Sequence, residues 1–313
     1  MTAMHDHPFA SICGVDFSGA RLAGRTTWVA RIERAARPVL YRLTRLASLE
    51  TLCGTADRGP VLAHLVQMIR DSEETLWALG FPFGLPMEVV DGTEAAGWRA
   101  QLEFLRSWGE DAYGVGVDCL RRAQAQGHKG HIRRLTDIEM KAPWDTYAYR
   151  IIYQTFYGMR DVLGPLRGET QAPSTGMVQE TRAAYGTEGT ETGGETAVLP
   201  FDYARLPRAR RVVVEACPAS TLKRLGLPHQ NYKQPGAAPL TPERRKTRRV
   251  ILAGLGENVA IGRVQRQILM RDTGGDALDA VIAAVGAALS WRETDHRAVA
   301  AHPRYRQEGR HYA

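Results

Sequence analysis

The chain has 313 residues, 44% of them hydrophobic and 24% charged, and a formal net charge of +7. That length and apolar content supply an ample core and exclude a disordered or low-complexity chain. The basic balance suits polyanions such as nucleic acid, nucleotides or acidic membranes; a solvated basic surface with no partner is the plainer alternative.

Residues 9–16 read as a buried strand ending at Asp16, and Ser18-Gly19-Ala20 as the tight turn that follows. Residues 26–32 and 39–43 read as second and third strands, completing a meander. In residues 59–70 the apolar positions Val61, Leu62, Leu65, Val66 and Ile69 have helical spacing. Residues 75–80 form a short apolar strand that runs into Phe81-Pro82-Phe83-Gly84-Leu85-Pro86, where two prolines end any ladder. Residues 95–108 read as a helix.

Residues 109–205 interrupt the alternation as an expected insertion within one domain spanning 1–313. Within it, residues 147–166 form an aromatic-rich helix, with Tyr149, Ile152, Tyr153, Phe156, Tyr157 and Met159. This reads as a core-packing helix, with a base-stacking face as the alternative. Residues 168–198 are rich in Gly, Thr and Glu, lack periodicity and are expected to be a mobile loop. The pattern resumes with a strand over 211–215, a helix over 219–225 led by Pro218, a basic helix over 242–255 and an apolar helix over 273–290. Strand, strand, strand, helix, strand is the order in which an RNase H-like α/β sheet of five mixed strands begins, and it also suits a generic α/β domain.

Residues 1–8 have no apolar core of signal-peptide length, and no stretch is apolar enough to span a bilayer. Cys13, Cys53, Cys119 and Cys217 form no Cys-x-x-Cys pair, so neither a disulfide framework nor a zinc site is expected. The expected compartment is the cytoplasm. His5 and His7 near the N-terminus, and His128 and His131 among glycine and basic residues, lack partners at zinc-ligand spacing.

Four acidic positions carry the candidate chemistry. Asp16 and Glu215 each end an apolar strand, and Asp276 and Asp279 sit three apart on one helix face. The helix would bury its other pattern, Leu278, Val281, Ile282, Val285 and Leu289, against the sheet. Ligands bind beyond the carboxyl ends of strands in open α/β sheets, so the four acids are expected to converge there and hold Mg²⁺ or Mn²⁺. A pair of such ions sits about 4 Å apart, one activating water and the other stabilising the leaving oxygen. Each acid also has a plainer role. Asp16 would bond the turn N–H groups, Glu215 would pair with Arg211, Asp276 would favour the helix N-terminus and Asp279 would face solvent. Arg244, Arg245, Lys246, Arg248 and Arg249 form a basic run that reads as a contact for nucleic-acid phosphates, with a solvated helix face as the plainer alternative.

Four segments together resemble the motifs of domain-of-unknown-function family 429, whose members are described as predicted nucleases of RNase H fold. They are Gly14-Val15-Asp16-Phe17-Ser18-Gly19-Ala20, Gly80-Phe81-Pro82-Phe83-Gly84-Leu85-Pro86, Val214-Glu215-Ala216-Cys217-Pro218-Ala219 and Asp276-Ala277-Leu278-Asp279-Ala280. Gln154-Thr155-Phe156-Tyr157-Gly158 and Glu308-Gly309-Arg310 extend the likeness over nearly the whole chain. The final helix also resembles that of RuvC-type Holliday junction resolvases, which implies metal-ligand roles for Asp276 and Asp279. The resemblance implies a metal-dependent nuclease. One departure is Gly80, where the family usually has Asp; it opens the alternative of a non-catalytic nucleic-acid-binding relative. A third alternative is a nucleotide-handling enzyme of the actin and sugar-kinase superfold, since Asp16-Phe17-Ser18-Gly19 also resembles a phosphate-binding turn.

Overall fold

A computed structural model describes residues 9–35, 39–90, 97–168, 195–234, 236 and 238–313. The chain is an α/β protein built on one mixed sheet of seven strands, two more than the sequence led us to expect. The strands are β1 (Ser11–Asp16), β2 (Trp28–Arg34), β3 (Tyr41–Ser48), β4 (Thr75–Gly80), β5 (Glu195–Val198), β6 (Ala209–Glu215) and β7 (Val259–Ala260), in the order β5-β6-β4-β1-β2-β3-β7. β1, β2 and β3 form the expected antiparallel meander, and β4 lies parallel to β1. β6 lies parallel to β4 on its far side.

The two unexpected strands are at the sheet edges. β5 falls inside the segment read as a mobile loop. It pairs parallel with β6, and its four residues are too few for a period to show. Residues 169–194 of that segment, and His5 and His7, lie outside the described residues. β7 has two residues, pairs parallel with β3 and is followed by a helix over Arg263–Arg271 that its polar sequence concealed.

Strand alternation divides the core into two sides. Cys13, Val15, Trp77, Leu79 and Val213 face the helices Arg58–Arg70, Gly97–Ser107, Ala112–Ala125 and Ile152–Gly158. Ile12, Leu76, Ala78, Val212 and Val214 face the helices Pro242–Leu255 and Asp276–Glu293. The residues 109–168 thus cover one side of the sheet, and the aromatic-rich helix starts later than its pattern suggested, at Ile152. Burial pushes the Cys13 and Cys119 thiols up to about 12, which suits core residues rather than nucleophiles.

The Asp276–Glu293 helix is buried on nearly every side. Its closest approach to the sheet runs through small residues rather than through the branched stripe expected to face it. A Cβ on Gly14 of β1 would lie 2.1 Å from the Ala280 carbonyl oxygen and 2.4 Å from the Ala284 nitrogen. Only glycine lets helix backbone rest on strand backbone there. Gly14→Ala is therefore expected to destabilise the fold by about 1–3 kcal/mol, read as a lower urea midpoint at unchanged m-value. An unchanged midpoint would mean that the helix can lift off β1 freely. No helix among the described residues is long and apolar enough to cross a membrane.

Candidate functional site

Asp16 ends β1 on the side of the sheet covered by the Asp276–Glu293 helix, which is not the last, since short helices His296–Ala301 and Tyr305–Glu308 follow it, and Asp276 and Asp279 occupy its first turn. The turn after Asp16 does not use its carboxylate. The Ser18 N–H donates to Thr27 Oγ1 and the Ala20 N–H to Ser18 Oγ. Instead the Asp16 carboxyl lies within electrostatic reach of Lys233, Asp279, Asp276 and Asp272, so Asp16, Asp276 and Asp279 gather at one end of the sheet, although they are not among the described residues whose ligand atoms lie at metal spacing. Asp279 is buried rather than solvent-facing, and accepts 2.8 Å from the Tyr232 hydroxyl. Lys233 Nζ lies 2.5 Å from Asp279 Oδ2 and 4.0 Å from Asp276 Oδ1.

The charge is not balanced. Asp16, Asp272, Asp276 and Asp279 face one ammonium, Lys233, and the guanidinium of Arg248. Burial, then the neighbouring carboxylates, pushes Asp16 well above the usual carboxylate range. Burial, then Asp272 and Asp279, pushes Asp276 up to about 6 against the pull of Lys233. Excess negative charge of this kind attracts cations.

Glu215 is not part of this group. In the sheet register Glu215 lies level with Leu79 and Val15, whereas Asp16 lies level with Gly80. One residue of offset turns a strand side chain to the opposite face, so Glu215 points away from Asp16. Its partner is not Arg211 either. Residues four apart on a strand are separated by about 13 Å, and Arg211 instead lies 3.8 Å from Glu73.

Glu215 enters a second, fully buried group with Arg134, Asp137 and His311. Arg134 donates to both Asp137 oxygens at 2.8 and 2.9 Å, to both Glu215 oxygens at 2.5 and 3.0 Å, and to the Glu308 carbonyl at 2.7 Å. The Phe83 N–H donates to Glu215 at 3.0 Å, and His311 Nε2 is 2.7 Å from it. Burial would raise the Glu215 carboxyl, but Arg134 and His311 outweigh it and hold it at about 2. Asp137, Glu215 and His311 offer ligand atoms within 4.8 Å of one another, a spacing that could hold a metal ion. The same oxygens are already bonded by Arg134, so an ion there must displace a guanidinium; the group acts as an ion-pair lock in this state.

The lock carries a pH signature. Glu215 has a usual value of 4.5 and a folded value near 2, so the folded state holds fewer protons in that window. Its stabilisation is present above 4.5 and is expected to vanish as pH falls toward 2, seen as a sloping urea midpoint. A midpoint level across that window would show that Arg134 does not keep Glu215 ionised.

Gly80, the departure from the family pattern, sits beside Asp16. A Cβ there would lie 2.8 Å from the Val15 carbonyl oxygen, so an acid at this position requires β1 and β4 to shift. The basic run also divides. Arg245, Lys246 and Arg249 are exposed, and Arg244 bonds the Gln234 side chain. Arg248 is fully buried and is no phosphate contact. It donates to the carbonyls of Tyr232 at 2.6 Å, Leu269 at 2.8 Å, Thr273 at 2.8 Å, and Asp272. It thereby fixes both segments that feed the acid group, the one bearing Lys233 and the one leading to Asp276. The Asp272 carboxylate also accepts from the Ala277 N–H at 2.8 Å, in the first turn of the Asp276–Glu293 helix.

Tyr232, Lys233, Arg134 and His311 were not singled out from the sequence. Asp272 is likewise absent from the sequence-based set, and its place four residues before Asp276 is the one local signal that could find it. His131 lies 3.6 Å from Asp145 and against Tyr147, and His128 is exposed. No known family profile matches the chain, and no curated protein or solved structure matches it.

Proposed function

We propose that the chain is a metal-dependent phosphodiester hydrolase with an RNase H-like core, related to domain-of-unknown-function family 429. The observation that carries this reading is the surplus of carboxylate around the tip of β1, where burial first and the neighbouring acids second hold Asp16 and Asp276 above their ordinary range. The order β3-β2-β1-β4-β6 within the sheet supports the same reading. The donor set is all carboxylate, which suits a hard cation such as Mg²⁺ or Mn²⁺. Asp16, Asp276 and Asp279 would hold it. When bound, the ion would supply Lewis acidity toward a phosphoryl oxygen and a water of lowered pKa. Arg245, Lys246 and Arg249 draw the polyanion to the edge of the site, and Arg248 keeps the flanking loops in register for it.

Lys233 is the competitor of the ion. Lys233→Met is expected to raise Mn²⁺ affinity on the order of tenfold, because an entering cation no longer displaces an ammonium from Asp279. Calorimetric titration reads this, and equal or weaker affinity in the variant would show that the two cations do not compete.

A non-catalytic nucleic-acid-binding relative is the second reading, favoured by Lys233 as a permanent counter-ion and by Gly80. The two are separated by incubating the protein with single-stranded, duplex and branched DNA and RNA, in Mn²⁺ and in chelator. Metal-dependent cleavage that Asp279→Asn abolishes supports the hydrolase. Salt-dependent binding with no cleavage of any substrate overturns it.

A further inference from the structure

The aromatic run in the inserted segment is only partly core. Phe156 and Tyr157 are buried, but Tyr149 is 68% exposed, Tyr113 53% and Trp144 51%. The exposed rings are not scattered. Tyr113 and Tyr149 meet with centroids 5.9 Å apart, and Tyr149 and Tyr153 with centroids 6.4 Å apart. Arg150 is exposed and lies over the Trp144 ring at 5.9 Å.

The Ile152–Gly158 helix packs on the side of the sheet opposite Asp16, but its first turn reaches the turn that follows β1. A Cβ on Gly19 would lie 2.2 Å from the Tyr153 carbonyl oxygen, so the Tyr153 backbone rests directly on the turn after β1. Gly19 is three residues beyond Asp16, a reach of at most about 11 Å. Arg58 ties the same turn to the aromatic helix, donating to the Gly19 carbonyl at 3.1 Å while lying 3.5 Å over the Tyr157 ring. In that turn Ala20 and Arg21 are exposed to solvent.

We propose that Tyr113, Tyr149 and Tyr153, flanked by Arg150 and Arg21, form a stacking platform that takes unpaired bases of a single-stranded nucleic acid and leads its backbone toward Asp16. This rests on the hydrolase reading for its choice of polyanion. The chemistry fits that occupant better than an apolar partner. The exposed Tyr113 and Tyr149 and the half-buried Tyr153 can accept any base by stacking, and exposed arginines nearby in sequence can track the phosphates. The chain's excess of positive charge favours the same partner. The platform makes unpaired strands, rather than duplex, the substrate class.

The test is fluorescence anisotropy with three labelled probes of equal charge: an oligothymidylate, an abasic oligomer of the same length, and a duplex. The protein is compared with Tyr113→Ala/Tyr149→Ala, whose exposed positions leave the core intact, and with Arg150→Ala. The wild type is expected to bind oligothymidylate roughly tenfold more tightly than the abasic oligomer, and the tyrosine variant to lose that margin. Arg150→Ala is expected to weaken both single-stranded probes alike. Equal affinity for the two oligomers in the wild type, or an undiminished margin in the tyrosine variant, overturns the platform. So does concentration-dependent self-association that Tyr149→Ala abolishes, which would assign the face to a second copy of the chain. Cleavage separates this from the parent reading. Metal-dependent cleavage without base-dependent binding sinks the platform alone, and base-dependent binding without cleavage sinks the hydrolase alone.

Discussion

Arg134→Met is expected to destabilise the fold by about 3–5 kcal/mol, more than any other substitution considered above. The side chain is fully buried, and every hydrogen bond it makes is to a buried acceptor. Removing it leaves Asp137 and Glu215 facing each other in a dry interior with only His311 between them. Burial works against the Arg134 charge, and Asp137 and Glu215 more than offset it, raising its pKa. The reverse argument then applies to the carboxylates once it is gone. They must take up protons or drag water inward, and either costs several kcal/mol. The triple variant Arg134→Met/Asp137→Asn/Glu215→Gln carries no orphaned charge and is expected to be more stable than the single variant. That non-additivity is what marks an ion-pair network. Urea unfolding at neutral pH measures both. A loss under about 1 kcal/mol for the single variant would mean that water or a cation already serves these carboxylates.

The same lock explains how far the sequence could be read. The meander, β4, β6 and the Asp276–Glu293 helix announce themselves through local periodicity, because their burial is set by neighbours along the chain. Glu215 was misassigned by a single step of register. Ending an apolar strand does not say which face the last side chain takes; only the pairing of Leu79 with Glu215 and of Gly80 with Asp16 does. Arg134 meets Glu215 across 81 positions and His311 across 177, and no spacing rule reaches so far. Arg248 looked like part of a basic surface because its helix is basic. Its burial depends on carbonyls from two other segments. The acid group was legible in part, since three carboxylates lie where strand tip and helix start should place them. The cation among them was not, because Lys233 sits in a loop with no pattern of its own.

Asp16→Asn separates a catalytic acid from a structural one by moving stability and activity in opposite directions. A structural carboxylate is held low by its partners, and losing it weakens the fold. Asp16 is held high, first by burial and then by Asp279, Asp276 and Asp272, with Lys233 as the opposing influence. Asn replaces a carboxyl whose burial costs stability whether it stays charged or takes up a proton, so in chelator the variant is expected to be more stable by about 1 kcal/mol. Mn²⁺ at about 100 times its dissociation constant should stabilise the wild type by about 2.7 kcal/mol through binding to the folded state. The variant, short of one ligand and one negative charge, should lose most of that gain. Hydrolysis should fall on the order of 10³-fold, the kinetic equivalent of several kcal/mol of lost Lewis-acid assistance. Thermal melts in chelator and in Mn²⁺, run beside the cleavage assay, read all three. A variant less stable than the wild type in chelator and equally responsive to Mn²⁺ would make Asp16 a structural residue and remove the ground for placing chemistry at the tip of β1.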